Sequence, residues 1–325
     1  MTAMKERLKV NLIWLALMIA GYLAIYVSYS SGLVNLFIDN IIITIGINII
    51  LATGLNLVIG FSGQFSLGHA GFMAIGAYCG ALFSMNNPTM AGFFMGIVAG
   101  IILSAVVALI VGIPTLRLKG DYLAIATLGV AEIIRIAIVN MDEITNGPSG
   151  LFGIPQFVNW PLVYGFVVVT TLVTVNYIHS GPGRATLAIR EDEIAAESMG
   201  VNTTKYKVIA FVIGAATASI AGALSASYIG SIAPKNFAFA KSIDILIIVV
   251  FGGIGSVTGT FVAAIVLGIL NMYLQDFGSL RMIIYSLALI IIMIFKPGGL
   301  LGTWELSFKK IFAKKGGPSN DVTKG

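Results

Sequence analysis

Side chains that could carry out bond-breaking chemistry are scarce in this sequence. Its 325 residues include two histidines, His69 and His179, and a single cysteine, Cys79. A metal site is built from several histidine, cysteine or carboxylate ligands at close spacing, and this set offers none of the familiar spacings. Cys79 has no partner for an intrachain disulfide. We therefore predict no metal, no other cofactor and no catalytic residue.

Two motifs with possible enzymatic meaning need to be weighed. Residues 60–63 read GFSG, the G-x-S-G pattern of rhomboid intramembrane proteases. Such a serine needs a histidine on another helix at the same depth, but His69 is too near in sequence and His179 falls at a predicted membrane boundary. ATP binding of the P-loop type is not predicted either. G-x-x-x-x-G-K-[ST] is absent, and residues 252–259 (GGIGSVTG) lack the lysine and the Rossmann glycine spacing.

Two ionisable residues, Glu132 and Arg135, stand within a long apolar run. Because they are three residues apart, they share one face of a helix. A lone charge at the middle of a bilayer costs at least about 2.5–3.5 kcal/mol, so a partner or a wet cavity is expected. Two explanations stay open: the residues line a translocation path, or they neutralise each other as a structural pair.

The elements that must position these residues are membrane-spanning helices. The sequence is 58% hydrophobic and 10% charged, with a mean hydropathy of +0.97, whereas a soluble domain is about 45–50% apolar and about 25% charged. We predict an all-α, polytopic transmembrane helix bundle in one domain (residues 1–306), followed by a basic tail (307–325). About 20 mostly apolar residues cross a bilayer. By that rule the sequence has about ten spans, or eight plus re-entrant segments: 12–30, 38–60, 65–84, 92–113, 122–139, 162–178, 207–229, 243–258, 259–275 and 281–296.

The basic residues orient this bundle. Fifteen of the 19 Lys and Arg residues fall on one side of the predicted membrane, and three (Lys235, Lys241 and Arg281) fall on the other. Cytoplasmic loops are enriched in Lys and Arg, so we predict that both termini and the loop at 179–206 are cytoplasmic. Orientation in the lipid bilayer then accounts for the net charge of +5, and no nucleic-acid partner is predicted.

Glycines mark a break between two apolar runs at residues 60–71 (GFSGQFSLGHAG). Glycine weakens a helix, and irregular backbone at membrane depth is tolerated only where it faces protein or a water-filled cavity. The segment is either a broken element lining a translocation path or a tight cytoplasmic turn followed by close helix packing. A second break at 252–259 has the same predicted sidedness. Under the first interpretation the candidate path residues are Gln64, Ser66, Gly68, His69 and Gly71, with Glu132 and Arg135.

Small residues recur at a spacing of four in two of the spans. Rows of this kind let helix backbones approach each other closely, so we predict tight helix packing along them. The rows are Gly92, Gly96 and Gly100 in one span, and Ala210, Gly214, Ala218, Gly222 and Ala226 in another.

The loop at 179–206 contains a predicted amphipathic helix over residues 186–199, where apolar residues alternate with charged ones. Gly200 follows directly and is a typical helix stop. Asn202 is placed to cap the helix that becomes the next span.

Several motifs jointly resemble the LivH/LivM family of permeases of branched-chain amino acid ABC transporters. The family signature matches residues 63–71 (GQFSLGHAG) with 76–78 (GAY), and the LivM branch matches the remaining motifs. The similarity covers roughly residues 35–305. The LivM-type motifs are 119–128 (KGDYLAIATL), 145–151 (TNGPSGL), 183–200 with GRA and AIRE, 252–259 (GGIGSVTG) and 296–300 (KPGGL).

The resemblance implies an importer in the bacterial plasma membrane. This chain and a second, LivH-like permease would form the path, two ATP-binding cassette ATPases would supply energy, and an extracytoplasmic amino-acid-binding protein would deliver substrate. It also implies that the segment with Ala195, Ala196, Glu197 and Gly200 is the coupling helix that docks on the ATPase. We further expect Arg190, Glu191 and Glu193, with Glu197, to orient this helix at the polar rim of the docking cleft.

Two other transport functions stay open at this point. Related permeases import urea, short amides or sugars, so the substrate is not fixed by the motifs. A secondary transporter driven by an ion gradient would need an ionisable group at the midplane, and Glu132 is the only plausible carboxylate.

Overall fold

The computed structural model describes residues 16, 18–32, 34–274, 286–287, 290, 294–296 and 298–302. Residues Leu36–Trp304 form one compact unit, and Met1–Asn35 with Glu305–Gly325 form another. In the second unit the structure describes one helix, α1 (Met18–Ser30). The predicted tail at 307–325 and most of the predicted span at 281–296 lie outside the described residues.

The compact unit is a bundle of helices, as predicted. The elements that form the bundle are α2 (Leu36–Asn56, extended by a π-helical turn at Leu57–Phe61), α3 (His69–Asn86), α4 (Met90–Thr115), α5 (Asp121–Asn140), α7 (Trp160–His179), α10 (Thr203–Ile229), α11 (Phe239–Gly252) and α12 (Val257–Tyr273). Shorter elements lie between them: α6 (Asp142–Thr145), α8 (Gly181–Glu191), α9 (Glu193–Ser198), 3-10 turns at Gly147–Ser149 and Pro234–Phe237, and strands β1 (Leu151–Phe152) and β2 (Ser231–Ile232).

Among the described residues, five helices are long and apolar enough to cross a membrane singly: Leu36–Phe61, α4, α5, α7 and α10. The stretches Pro234–Gly252 and Val257–Tyr273 meet the same test only together, and they are bent by 119° at the break between them. The bundle is therefore a polytopic membrane protein with a mixture of full-length and shortened helices.

The bundle has two distinct ends. At one, which we call the strand end, β1 pairs with β2 in antiparallel register, with Leu151 opposite Ile232. At the other, which we call the α8 end, Lys119 of the α4–α5 loop lies 3.4 Å from Glu193 of α9. Successive bundle helices run in alternating directions between these ends. Both glycine breaks lie at the α8 end, in agreement with their predicted common sidedness.

Glycines bring α3, α4 and α10 into backbone contact. A side chain at Gly222 of α10 would overlap the Met73 carbonyl of α3, and one at Gly76 of α3 would overlap the Ser219 carbonyl of α10. On α4, a Cβ at Gly96 would lie 2.9 Å from the Cα of Gly80. The predicted tight packing along the two small-residue rows is confirmed.

The break between α11 and α12 turns the chain back on itself. Gly253 has a φ of +115°, a backbone conformation that glycine adopts without a steric cost. Beyond the break, α12 runs antiparallel to α2: Thr260 meets Asn56, and Gly268 packs on Ile45. The two predicted spans at 243–258 and 259–275 are thus two short helices, with the break earlier than their predicted boundary.

Candidate functional site

The first break, which we define as residues 60–68, begins in the π-helical turn that ends α2 and continues from Ser62 as non-helical backbone. Ser62, Gln64 and Ser66 are each only 2% exposed. The side-chain amide of Gln64 donates to Ser62 Oγ and, at 3.1 Å, to the Lys207 carbonyl of α10. Further along, the Leu67 amide donates to the hydroxyl of Thr127 at 3.0 Å. The segment thus lies partly inside the bundle: Ser62, Gln64 and Ser66 face protein, whereas Gly63 and Phe65 between them are exposed.

The helix α3 begins at this depth and is capped by hydroxyl groups. Thr127 lies six residues into α5, about 9 Å along a helix that rises about 1.5 Å per residue. Besides the Leu67 amide, the Gly68 amide donates to Ser66 Oγ and the Ala70 amide to Ser242 Oγ of α11, both at 3.3 Å. These bonds pair backbone amides that would be hydrogen-bonded to water at an exposed helix start. Thr127 and Ser242 were not predicted, because a lone hydroxyl in an apolar helix has no distinguishing sequence signal.

Two polar atoms near the first break have no hydrogen-bond partner among the described residues. They are Nε2 of His69 and Oε1 of Gln64, and both side chains are buried. Leaving a buried polar atom unpaired costs about 1–3 kcal/mol, so water or a polar group of a passing solute would be bound favourably there. By contrast, the predicted path residues Gly68 and Gly71 pack tightly: a Cβ would meet the Thr127 carbonyl at 2.8 Å and Ala131 Cα at 2.7 Å.

Glu132 and Arg135 form an ion pair on α5, as their spacing predicted. The Arg135 Nε donates to Glu132 Oε1 at 3.0 Å and to Oε2 at 2.9 Å. The two side chains are 42% and 26% exposed respectively, and the neighbouring Ile133 is 68% exposed. The pair therefore lies on an uncovered face of α5, separate from the contacts of the first break.

The loop between α7 and α10 contains two helices, so the prediction of a single helix over 186–199 is wrong. Asp192 leaves the helical conformation at φ −155° and ψ 107° and ends α8. Its carboxylate accepts the amides of Ile194 and Ala195 and thereby caps α9, and such a cap favours a new helix start. The predicted stop at Gly200 and cap at Asn202 are confirmed: Gly200 has φ +82°, and Asn202 accepts the Lys205 amide at 2.9 Å.

The α8–α9 pair is attached to the bundle by two charged residues. Glu193 accepts a hydrogen bond from Lys207 of α10 at 2.6 Å and lies 3.4 Å from Lys119. Partial burial favours the neutral form of Glu193, but the hydrogen bonds and charges of both lysines outweigh it and hold the pKa of the carboxyl below its ordinary 4.5. Arg190 Nη1 donates to the Gly60 carbonyl at 2.7 Å.

The predicted coupling residues therefore divide into two groups. Arg190, though exposed, and the half-buried Glu193 both bind other parts of this chain, and Ala196 of the predicted docking helix is only 6% exposed. The outward surface of α9 instead carries Ile194 and Met199, 73% and 84% exposed. The remaining predicted residues, Glu191, Ala195, Glu197 and Gly200, are exposed.

Asn56 is a further residue of this region that sequence reasoning missed. It is 1% exposed at the end of α2, and its side chain binds the second break (253–256) and the start of α12. Its Nδ2 donates to the Ser256 carbonyl at 2.9 Å and to Thr260 Oγ1 at 2.8 Å, while its Oδ1 accepts the Gly255 amide at 2.9 Å. An asparagine inside an apolar run is the available sequence signal.

Sequence comparisons with known proteins identify a matching family and several relatives. The sequence model of a family described as "Branched-chain amino acid transport system / permease component" matches residues 37–295. The high-affinity branched-chain amino acid transport system permease proteins LivM of Salmonella typhimurium and Escherichia coli are 38% and 37% identical over 265 residues, which is 71% of this chain and 62% of each relative. LivH of Escherichia coli is 32% identical over 136 residues, 41% of this chain and 44% of LivH.

The match to the family model covers most of the compact helical unit, from the start of α2 through α12. The chain spans about 62% of the length of the LivM relatives. Because the family match extends over more than half of the sequence and includes both glycine breaks and the α8–α9 pair, the chain belongs to the branched-chain amino acid transport permease family.

Proposed function

We propose that this chain is a transmembrane permease subunit of an ATP-driven importer for branched-chain amino acids. The observation that carries the proposal is the α8–α9 pair, which presents Ile194 and Met199 outward while Glu193 and Arg190 fasten it to the bundle. An apolar surface on a short, braced element fits a docking contact with a soluble energy-supplying subunit. The substrate class is proposed from the function of the LivM relatives.

We place the α8 end in the cytoplasm of a bacterial cell, with both termini on that side of the plasma membrane. The described basic residues support this orientation, since cytoplasmic segments are rich in Lys and Arg. In this proposal each of the eight bundle helices from α2 to α12, the shortened ones included, counts as one crossing, and α1 with the predicted span at 281–296 would make ten. The basic residues at the α8 end are Arg117, Lys119, Arg184, Arg190, Lys205, Lys207 and Lys296, and those at the strand end are Lys235 and Lys241.

The chain works with partners in this proposal. A second, LivH-like permease completes the path, two ATP-binding cassette ATPases dock at the α8 end, and an extracytoplasmic amino-acid-binding protein docks at the strand end. The uncovered ion pair of Glu132 and Arg135 on α5 supports a partner or wet path at that face, since a partly exposed pair facing lipid is costly. His69 and Gln64 offer the buried unpaired atoms that a polar solute or water would contact.

Reconstitution in proteoliposomes tests the proposal. The complex of this chain with the candidate permease, ATPases and binding protein is expected to accumulate leucine when ATP is supplied to the α8 side. An ionophore that collapses ion gradients should leave uptake unchanged, and omitting this chain should abolish it. Uptake that needs an ion gradient but not ATP would show a secondary transporter. ATP-driven uptake of urea or a short amide in place of leucine would overturn the substrate.

A further inference from the structure

The side chain of Arg190 reaches from the α8–α9 pair into the membrane bundle. Its Nη1 donates to the carbonyl of Gly60 at 2.7 Å, in the π-helical turn that ends α2. A carbonyl at the C-terminal end of a helix carries partial negative charge and favours a cation. The contact joins residues 130 positions apart in the sequence.

Three glycines, Gly60, Gly63 and Gly255, leave a slot in which the Arg190 side chain lies. An added Cβ would lie 3.1 Å from Arg190 Cγ at Gly63 and 3.0 Å from Arg190 Nη1 at Gly255. At Gly60, an added Cβ would overlap the Gly255 amide nitrogen. The side-chain stem therefore lies over the first break, and the guanidinium lies where the two breaks touch.

The two breaks are also joined beneath the arginine. Asn56 uses both amide hydrogens and its carbonyl oxygen to hold Gly255, Ser256 and Thr260. Gly60 therefore lies against the second break directly and against the Asn56 side chain that holds it. Arg190 thus contacts this junction from α8.

We propose that Arg190 is a positioning residue for transport: it pins the α8–α9 pair to the junction of the two glycine breaks, so that movement of the pair displaces both breaks together. The inference rests on the proposed function, because it assigns Arg190 to the transmission between the ATPase contact and the path. A residue that couples two sites must make contacts that differ between the two states. The Arg190 guanidinium also pairs with Glu191, and its hydrogen bond to the Gly60 carbonyl can be broken and remade.

The first test uses amide hydrogen exchange of the full-length chain in detergent and needs no partner protein. Arg190→Met retains the apolar stem over Gly63 but removes the guanidinium. A hydrogen bond with a charged donor corresponds to about a ten- to hundredfold change in an opening equilibrium. Exchange should therefore accelerate by about that factor in both 57–64 and 253–260. The matched control is Arg184→Met on the exposed face of α8, which should leave both segments unchanged.

The second test uses the reconstituted complex and measures leucine imported per ATP hydrolysed. Arg190→Met should lower this ratio about tenfold or more while the complex still assembles and hydrolyses ATP. Arg190→Lys, which keeps the charge and can reach one carbonyl, should recover part of the ratio. A residue that only stabilises the fold would lower assembly and hydrolysis with transport and leave the ratio intact.

The outcomes distinguish a failure of the proposed function from a failure of the role proposed for Arg190. If the unaltered complex shows no ATP-driven leucine uptake, the proposed function is wrong, and the exchange experiment still decides whether Arg190 pins the breaks. If exchange accelerates only in 57–64, Arg190 is merely a helix cap and the inference is overturned. It is also overturned if Arg190→Met imports as much leucine per ATP as the unaltered complex. If Arg190→Met does not fold, both measurements are made on Arg190→Lys instead. The proposal is then overturned if that variant imports as much leucine per ATP as the unaltered complex and its amide hydrogen exchange is also unchanged.

Discussion

At the scale of single residues, the tightest constraint is backbone contact between helices. A methyl group at Gly222 would overlap the Met73 carbonyl of α3, whereas Gly165 of α7 has no atom within 4 Å of an added Cβ. We expect Gly222→Ala to destabilise the chain by about 1–3 kcal/mol through overpacking. Gly165→Ala should be neutral or stabilise by up to about 1 kcal/mol through helix propensity. Denaturation of both variants in detergent measures the difference, and equal stability would contradict the packing.

A second residue-scale prediction concerns Glu193 and its two lysines. Because the folded-state pKa of Glu193 is lowered, its contribution is present above the ordinary pKa of 4.5 and is lost as the pH falls through the lower folded value. Glu193→Gln should free α9 at neutral pH at a cost of about 1 kcal/mol, reduced by partial solvent screening. The exposed Glu197→Gln is the matched control.

A spin label at Ser198, read by its mobility, measures this release. In the unaltered chain the label should gain mobility only below pH 4.5. In Glu193→Gln it should be mobile already at pH 7 and respond little to acid. A label whose mobility is the same in both proteins at pH 7 would show that the Lys119 and Lys207 contacts do not hold α9 in place.

At the scale of elements, substitutions on the outward and inward faces of α9 should have different effects. Ile194 and Met199 are exposed, so the double change Ile194→Asp with Met199→Asp should leave folding intact and weaken ATPase docking. Ala196 is buried, so Ala196→Trp should instead disturb the packing of α9 itself. Thermal stability of the chain and co-purification with the ATPase distinguish the two effects. Stable docking by the double aspartate variant would remove this surface from the interface.

The elements also show what the sequence could predict. The small-residue rows at Gly92 and Ala210 indicated close packing, because spacing by four is visible within one segment. The split of the coupling segment at Asp192 was not predicted, since an amphipathic pattern continues across it. The arginine slot was not predictable either: Gly60, Arg190 and Gly255 lie in three distant segments, and each residue alone has an ordinary local explanation.

At the scale of the whole molecule, the orientation in the membrane can be measured directly. With Cys79 replaced, a cysteine at Ser149, exposed at the strand end, should react with an impermeant thiol reagent applied to intact cells. A cysteine at Ser198, exposed on α9, should react only after the membrane is opened. The reverse pattern would invert the orientation inferred from the basic residues.

The central claim is that the α8 end couples an ATPase to a path that opens at the strand end. It is tested most directly by ATP hydrolysis of the assembled complex in nanodiscs, measured while the binding protein is added with and without leucine. The leucine-loaded binding protein should stimulate hydrolysis, and the double aspartate variant of Ile194 and Met199 should abolish the response. Hydrolysis that does not respond to the loaded binding protein in the unaltered complex would show that the α8 end is not coupled to the path.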